Sequence, residues 1–444
     1  MRQGSRIVAA ALALGFGAMA AQAAWKAGVA KVAITPGEPI WMAGFASRTK
    51  PSAGVRQDLW AKALAVEDGT GKTAVLITLD LVAVEREMAR AITDRIRERH
   101  GVKRDRVLLN VSHTHSGPVA GLALMPLYEF TDGQRDVIRR YTAGLIDKVV
   151  DVAGAAIRNL APATLEFGQG LAGIAVNRRR VADRSFPGPV DQDLPVLRVR
   201  DAAGATRAIV AGYACHATVL NDYEISGDWP GYAQAEIEKA HPGAVALFVQ
   251  GAGADSNALP RGSVEAAERY GKTLAAGVQQ VFGGKLKALT GPLESAFELV
   301  DLPFETPPGR EELQARLKDA NVYKRRHAAR LLEGIQKDGA LPRSYPYPVQ
   351  VWRFGPELTL IALGGELVVD YSLRLKARHG WDGAWVAGYS NDIMAYIPSR
   401  RVRQEGGYEG GEAMIYFGRP AWFTEAVEEI IVGKVDELVR RTAR

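Results

Sequence analysis

Apolar and polar positions along the chain fall into short runs that predict strands and helices in mixed order. Residues 29–34 (Val-Ala-Lys-Val-Ala-Ile) alternate with period two and stop at Thr35-Pro36-Gly37, which predicts an early edge strand. Residues 61–67 and 73–79 are apolar runs joined by Asp68-Gly69-Thr70-Gly71, residue types that favour a tight reversal, and so predict a hairpin. Over residues 85–100 the period changes: Met88, Ile92 and Ile96 recur every four positions among charges, the mark of an amphipathic helix, expected to pack beside the opening strand. A buried strand at 107–111, a long helix at 133–158, strands at 164–167, 194–200 and 208–214, a helix at 232–240, a strand at 244–250 and a helix at 262–282 follow. After a helix with a solvated face at 310–335, Pro342, Pro346 and Pro348 interrupt the pattern and weakly mark a domain boundary. Strands return at 350–353, 358–363 and 384–387, and an amphipathic helix over 422–440 closes the chain. This irregular alternation predicts a mixed α/β (α+β) fold class, mixed β-sheets flanked by helices, rather than a pure parallel barrel.

Three of the apolar runs end alike. Residues 107–111 lead into Ser112-His113-Thr114-His115-Ser116 before Gly117-Pro118 turns the chain. Residues 208–214 lead into Cys215-His216, and residues 358–363 lead through Gly364-Gly365 to Glu366 at the start of an apolar helix. Two imidazoles and a carboxylate suit a catalytic zinc, which takes three or four protein ligands and keeps a position for water. Alternation along an extended chain would place His113 and His115 on one side of the backbone. The blander readings are two histidines stiffening a turn, and a helix N-terminal carboxylate at Glu366. His100, His241, His327 and His379 fall on polar helical faces or at helix ends, where solvated or capping roles are expected. Arg178-Arg179-Arg180 reads as a solvated loop unless the fold brings it to an anion or carbonyl site.

With 444 residues, 47% of them hydrophobic, the chain can bury a large core. The net charge of +6 is dispersed apart from Arg178-Arg179-Arg180 and Lys324-Arg325-Arg326. No basic stripe with interleaved aromatics appears, which argues against a nucleic-acid partner and leaves only a weak, transient attraction to anionic membrane surfaces. Arg2 and Arg6, the apolar stretch of residues 7–21 and the small-residue site Ala21-Gln22-Ala23 predict a cleavable signal peptide over residues 1–23, and hence a secreted or periplasmic protein. That stretch is too short to span, since a membrane helix needs about 20 apolar residues. Cys215 is the single cysteine, so no internal disulfide can staple the fold.

In order along the chain, Ile34-Thr35-Pro36, Met42-Ala43-Gly44, Ala61-Lys62-Ala63, His113-Thr114-His115-Ser116-Gly117-Pro118, Asn177-Arg178, His216 with Gly231-Tyr232, Gly365-Glu366, and Tyr396 with Tyr408 resemble the neutral/alkaline non-lysosomal ceramidases. The His-Thr-His-Ser-Gly-Pro string is the most specific of these. The resemblance implies a ceramidase catalytic domain over residues 24–444 and a Zn2+-dependent amidase acting on a lipid-like N-acyl amide. In it His113, His216, Glu366 and Tyr396 are similar to the metal ligands, Tyr396 being the weakest because a neutral phenol binds zinc poorly. The same resemblance places His115, Arg178 and Tyr408 on the amide carbonyl and leaving group, with Glu366 or His115 as base. Two departures accompany it. Gly253-Ala254-Asp255-Ser256-Asn257 stands where members carry Gly-Asp-x-Ser-Pro-Asn, so Ser256 receives no role. Full-length members also have a C-terminal β-sandwich beyond the region covered here, which implies a preference for a different acyl amide. The competing readings are a serine hydrolase using Ser116 or Ser256, neither of which sits in a Gly-x-Ser-x-Gly elbow, and a non-catalytic secreted binding protein of the same fold. Leu122, Leu124, Met125, Leu127 and Phe130 either line an acyl groove or, more simply, fill the core.

Overall fold

Most of the chain is organised by a 9-stranded sheet. A computed structural model describes residues 25–121, 124–180 and 187–443, so the expected signal peptide lies outside the described residues. The sheet contains β1 (Trp25–Ala33), β2 (Trp60–Asp68), β3 (Thr73–Leu79), β4 (Val107–Val111), β5 (Ala161–Leu171), β6 (Asp193–Asp201), β7 (Thr206–Tyr213) and β8 (Val245–Gln250). Its order is β8-β7-β6-β5-β1-β2-β3-β4, with the short strand Lys287–Ala288 against β5. The β2–β3 hairpin forms as expected, and Asp68 Oδ1 accepts the Thr70 N–H at 2.9 Å to close its turn. β1 is not an edge strand: it pairs with β2 along its whole length and with β5 over Trp25–Ala27. Its alternation reports that one face is wetter than the other and is silent about its edges.

A second sheet, β9-β10-β11-β12, is built from β9 (Leu293–Pro303), β10 (Ser344–Phe354), β11 (Leu358–Leu363) and β12 (Ala384–Ala387). The proline-rich stretch is therefore strand, not boundary. Pro346 and Pro348 fall where β10 has only β9 beside it, since pairing with β11 starts at Val349, and a single-sided stretch tolerates missing N–H groups. The two sheets face each other through Leu64, Val66, Phe167 and Leu197 on one side and Trp352, Phe354, Leu360 and Trp385 on the other.

Helices cover the outer faces. α1 (Arg86–His100) buries Met88, Ile92 and Ile96 but packs on α2 (Asp132–Arg158), and it is α2 that lies across β1 and β2. α3 (Asp228–Ala240) packs on β8 and α4 (Val264–Gly283) on β5 and β6. The expected helix at 310–335 is two, α5 (Arg310–Arg316) and α6 (Val322–Asp338), because the Asn321 side chain accepts the N–H groups of Tyr323 and Lys324 and starts a new helix there. His327 on α6 is buried rather than solvated, its Nε2 lying 2.7 Å from the Arg419 carbonyl. α7 (Val369–His379), α8 (Arg400–Glu405) and α9 (Gly407–Gly410) follow, and α10 (Val427–Thr442) packs on β9 and β10. α10 starts later than its amphipathic pattern suggests because Phe423 is spent on a stacked pair with Phe304, 5.0 Å between ring centres. No helix among the described residues is long and apolar enough to cross a membrane.

The large sheet coils until its two edge strands, β4 and β8, meet. Gln250 N donates to Asn110 Oδ1 at 2.8 Å, and Asn110 Nδ2 donates to the Gly388 carbonyl just beyond β12, also at 2.8 Å. Isolated bridges Gly251↔Ala387 and Asn110↔Ser390 complete the junction.

Candidate active site

The chains leaving β4, β7 and β11 deliver His113, His216 and Glu366 to this junction, where each is at most 2% exposed. β4 stops at Val111, His113 adopts the left-handed conformation (φ 58), and the chain turns at His115, so the two imidazoles meet across a turn rather than through strand alternation. Their Nε2 atoms are 3.1 Å apart. His113 Nδ1 lies 2.6 Å from the Val82 carbonyl and His216 Nδ1 lies 2.7 Å from the Gly253 carbonyl. Each Nδ1 therefore carries the proton and each Nε2 presents a lone pair. Both lone pairs face one atom, Glu366 Oε2, at 3.2 and 3.1 Å. Burial, and then the positive Arg178, bring His216 down to about 4, so its ring is neutral near pH 7. Two imidazole nitrogens and a carboxylate oxygen, converging with no proton to share, fit a zinc ion by ligand type and by charge. Tyr396 OH lies 3.4 Å from His216 Nε2 on the same side. The ring nitrogens of His113, His115 and His216 all lie within 4.8 Å of one another.

Glu366 is not the N-terminal carboxylate of a helix. It forms a two-residue strand, Glu366–Leu367, parallel to Tyr396–Ile397, and this pairing brings the Tyr396 phenol beside it. α7 begins at Val369, whose N–H is accepted at 2.9 Å by Asp255 Oδ1 from another part of the chain.

His115 is set by its neighbours. A Cβ on Gly44, which has φ +97, would stand 2.3 Å from His115 Nδ1, so only glycine allows the ring to lie there. Phe45 packs edge-on at 5.0 Å, and Arg48 Nη1 donates to the His115 carbonyl at 2.6 Å. Burial and the neighbouring His113 and His216 hold the His115 ring well below its ordinary value, and Nδ1 has no partner among the described residues. Arg178 does not lie in a solvated loop. It follows the strand Ala175–Asn177, which pairs with Ser256–Ala258, and its N–H donates to the Asp255 carbonyl at 2.8 Å. Its Nη2 donates to Tyr396 OH at 3.1 Å, and its guanidinium carbon lies 5.6 and 5.7 Å from the ring centres of Tyr396 and Tyr408. Tyr408, 43% exposed, forms the solvent-facing side of this cluster. A neutral imidazole, a fixed cation and two phenols thus surround the metal-suited group.

Ser116 Oγ and Ser256 Oγ are both buried without a hydrogen-bond partner among the described residues, so no base activates either. Leu124, Leu127 and Phe130 belong to the main core, while Leu122 and the Met125 side chain lie outside what is described. The sequence reading did not single out Tyr389 or Glu409. Tyr389 is fully buried with φ 50, its ring 4.5 Å from that of His113. Glu409 accepts Arg178 Nε at 2.6 Å. A left-handed tyrosine leaves little local trace, and a partner 231 residues away leaves none.

Comparison with known proteins places the chain in a family. The N-terminal family model of the neutral/alkaline non-lysosomal ceramidases matches residues 25–258. The neutral ceramidase of Pseudomonas aeruginosa is 24% identical over 95% of this chain and 73% of its own length. Neutral ceramidase A of Dictyostelium discoideum is 28% identical over 46% of this chain, a match spanning only 30% of that protein. The crystal structure of the Pseudomonas aeruginosa neutral ceramidase superposes with a TM-score of 0.71 at 21% identity, covering 93% of this chain and 75% of that one. A ceramidase complexed with C2 gives a TM-score of 0.73 at 19% identity, covering 93% of this chain and 76% of that one. On the family match and the shared fold, the chain belongs to the neutral/alkaline non-lysosomal ceramidase family.

Proposed function

We propose that the chain is an exported, zinc-dependent amidase, a single catalytic domain over residues 24–444 that cleaves N-acyl amide lipids of the ceramide type into a fatty acid and an amine. The observation that carries this reading is the convergence of His113 Nε2 and His216 Nε2 on Glu366 Oε2, both rings being locked as Nδ1–H tautomers. The names of its relatives supply the substrate class. In this reading His113, His216, Glu366 and Tyr396 hold the ion. Bound there, zinc supplies Lewis acidity, acidifying water and polarising a carbonyl.

The chain's own residues supply the rest. The Val82 and Gly253 carbonyls orient the two imidazoles. Arg178 and Tyr408 donate to the amide oxygen as negative charge develops on it, which is where fixed donors contribute most. The amine is a poor leaving group and must be protonated as it departs. His115, neutral and with its Nε2 3.1 Å from His113 Nε2, is the group that moves that proton.

The test combines metal analysis of the purified protein with a panel of fluorescent ceramides, N-acyl amino acids and short peptides, with and without chelator. One zinc per chain and chelator-sensitive cleavage of N-acyl lipids are expected, and His113→Ala should lose both. Cleavage of peptides or esters only, or activity that survives in His113→Ala, would sink the reading. Intact mass of exported protein checks the leader: a chain starting after Ala23 is expected, and retention of residues 1–23 in soluble exported protein would overturn that part.

A further inference from the structure

Resting on the amidase reading, we infer that Glu409 is a positioning residue that holds Arg178 with its guanidinium turned toward the reaction centre. One carboxylate bridges two consecutive arginines: Arg178 Nε donates to Glu409 Oε1 at 2.6 Å and Arg179 Nη1 donates to Glu409 Oε2 at 2.7 Å. With Nε held by the carboxylate, Nη2 of the same guanidinium donates to Tyr396 OH. The planar guanidinium has few ways to rotate once one nitrogen is fixed and the rings of Tyr396 and Tyr408 stand together beside it.

The seat of the carboxylate is itself rigid. Glu409 is 4% exposed and lies on the four-residue α9. A Cβ on Gly410 would meet the Val402 carbonyl at 2.7 Å, and one on Gly411 would meet the Trp422 ring at 2.2 Å, so α9 is pressed between α8 and Trp422. Outside this pair the charges continue in register. Glu405 on α8 takes Arg179 Nη2 at 3.1 Å and Arg180 Nη2 at 2.7 Å. The three arginines thus form a ladder whose buried end, Arg178 with Glu409, reaches the metal-suited group and whose outer end, Arg180 with Glu405, reaches solvent. Burial of Glu409 opposes its charge, but Arg178 holds its carboxyl below the ordinary value, so the pair stays ionised at neutral pH.

Glu409→Gln keeps the shape and one acceptor oxygen, but turns an amide N–H2 toward one of the two guanidinium groups. Turnover of an N-acyl amide by Glu409→Gln is expected to fall about ten- to a hundredfold in kcat, with KM within about threefold and zinc content unchanged. Glu409→Asp, which retains the charge, should recover part of that loss. In an Arg178→Ala background the same Glu409→Gln change should cost nothing further, because its effect passes through Arg178. A readout independent of activity accompanies these: the Arg178 Nε–H resonance, exchange-protected in the wild type, should be lost in Glu409→Gln. Additive losses in the double variant, or an Arg178 resonance indifferent to residue 409, would overturn the inference. Failure of the amidase reading looks different. The wild type would then turn over no N-acyl amide, and the resonance alone would decide the role of Glu409.

Discussion

At the residue scale, the candidate site depends on which nitrogen of each histidine carries the proton. Val82 and Gly253 fix that choice for His113 and His216, leaving two lone pairs aimed at a carboxylate, whereas His115 Nδ1 has no partner among the described residues and its Nε2 faces His113 rather than Glu366. Two roles follow and can be separated. His115→Ala is expected to retain one zinc per chain while losing most of its turnover, whereas His216→Ala should lose the metal; plasma emission spectroscopy of dialysed protein against amidase rate distinguishes them. Zinc loss in His115→Ala would move that ring into the ligand set. Arg178→Ala should lower turnover about a hundred- to a thousandfold with zinc retained, the usual cost of removing one donor to a developing oxyanion. The left-handed conformations of His113 and Tyr389, whose rings touch, place backbone strain where two non-glycine residues are held by their surroundings.

At the element scale, Asp255 joins the arginine turn to the helix that follows Glu366. Its carbonyl accepts Arg178 N–H, and its Oδ1 accepts the first N–H of α7. Burial pushes its carboxyl up to about 6, although the Val369 N–H works the other way. An aspartate raised in the folded state stabilises fully below its unfolded value, near 4, and loses that contribution as pH rises through about 6. Asp255→Asn removes the titration. Its stability relative to the wild type should therefore climb by about 2–3 kcal/mol between about pH 4 and about pH 7, measured by denaturant titration with chelator present. A difference flat across that window would show that Asp255 titrates normally. The elements themselves were legible to different degrees. β11 and β12 have the bounds read from the sequence, because each is a short run, apolar except for Thr359, that is followed at once by a glycine. β9 escaped notice because Glu294, Glu298 and Asp301 break its pattern, and only the fold supplies Lys434 and Arg441 to pair with Glu298. The strand-end residues were visible because buried runs that stop at a histidine are local facts. Glu409 and the two orienting carbonyls were not, because they meet the site only after both sheets are in place.

At the scale of the whole molecule, the site exists because three strand edges are pinned together, and Asn110 is the pin. Its Oδ1 accepts Gln250 N from one edge of the large sheet, and its Nδ2 donates to Gly388 O at 2.8 Å beside the small sheet and approaches Ser390 Oγ at 3.2 Å. It is fully buried, so removing its side chain takes the acceptor from the buried Gln250 N–H and one of two donors from the Gly388 carbonyl, which keeps the Ser390 hydroxyl. Asn110→Ala should therefore cost about 2–4 kcal/mol of stability. Loss of stability alone would say nothing about assembly of the site. The informative control is a change of similar cost elsewhere: Leu274→Ala, on α4 in the separate core beneath β6 and β7, is also fully buried and is expected to cost about 2–5 kcal/mol. If the junction of sheet edges positions His113, His216 and Glu366, Asn110→Ala should weaken zinc binding by about tenfold or more, while Leu274→Ala leaves it within about twofold. Competition titration against a zinc chelator of known affinity, run well below both melting points, makes the comparison. Equal zinc affinities in the two variants would mean that the strand ends hold their ligands independently, and that the meeting of the two sheet edges serves stability alone.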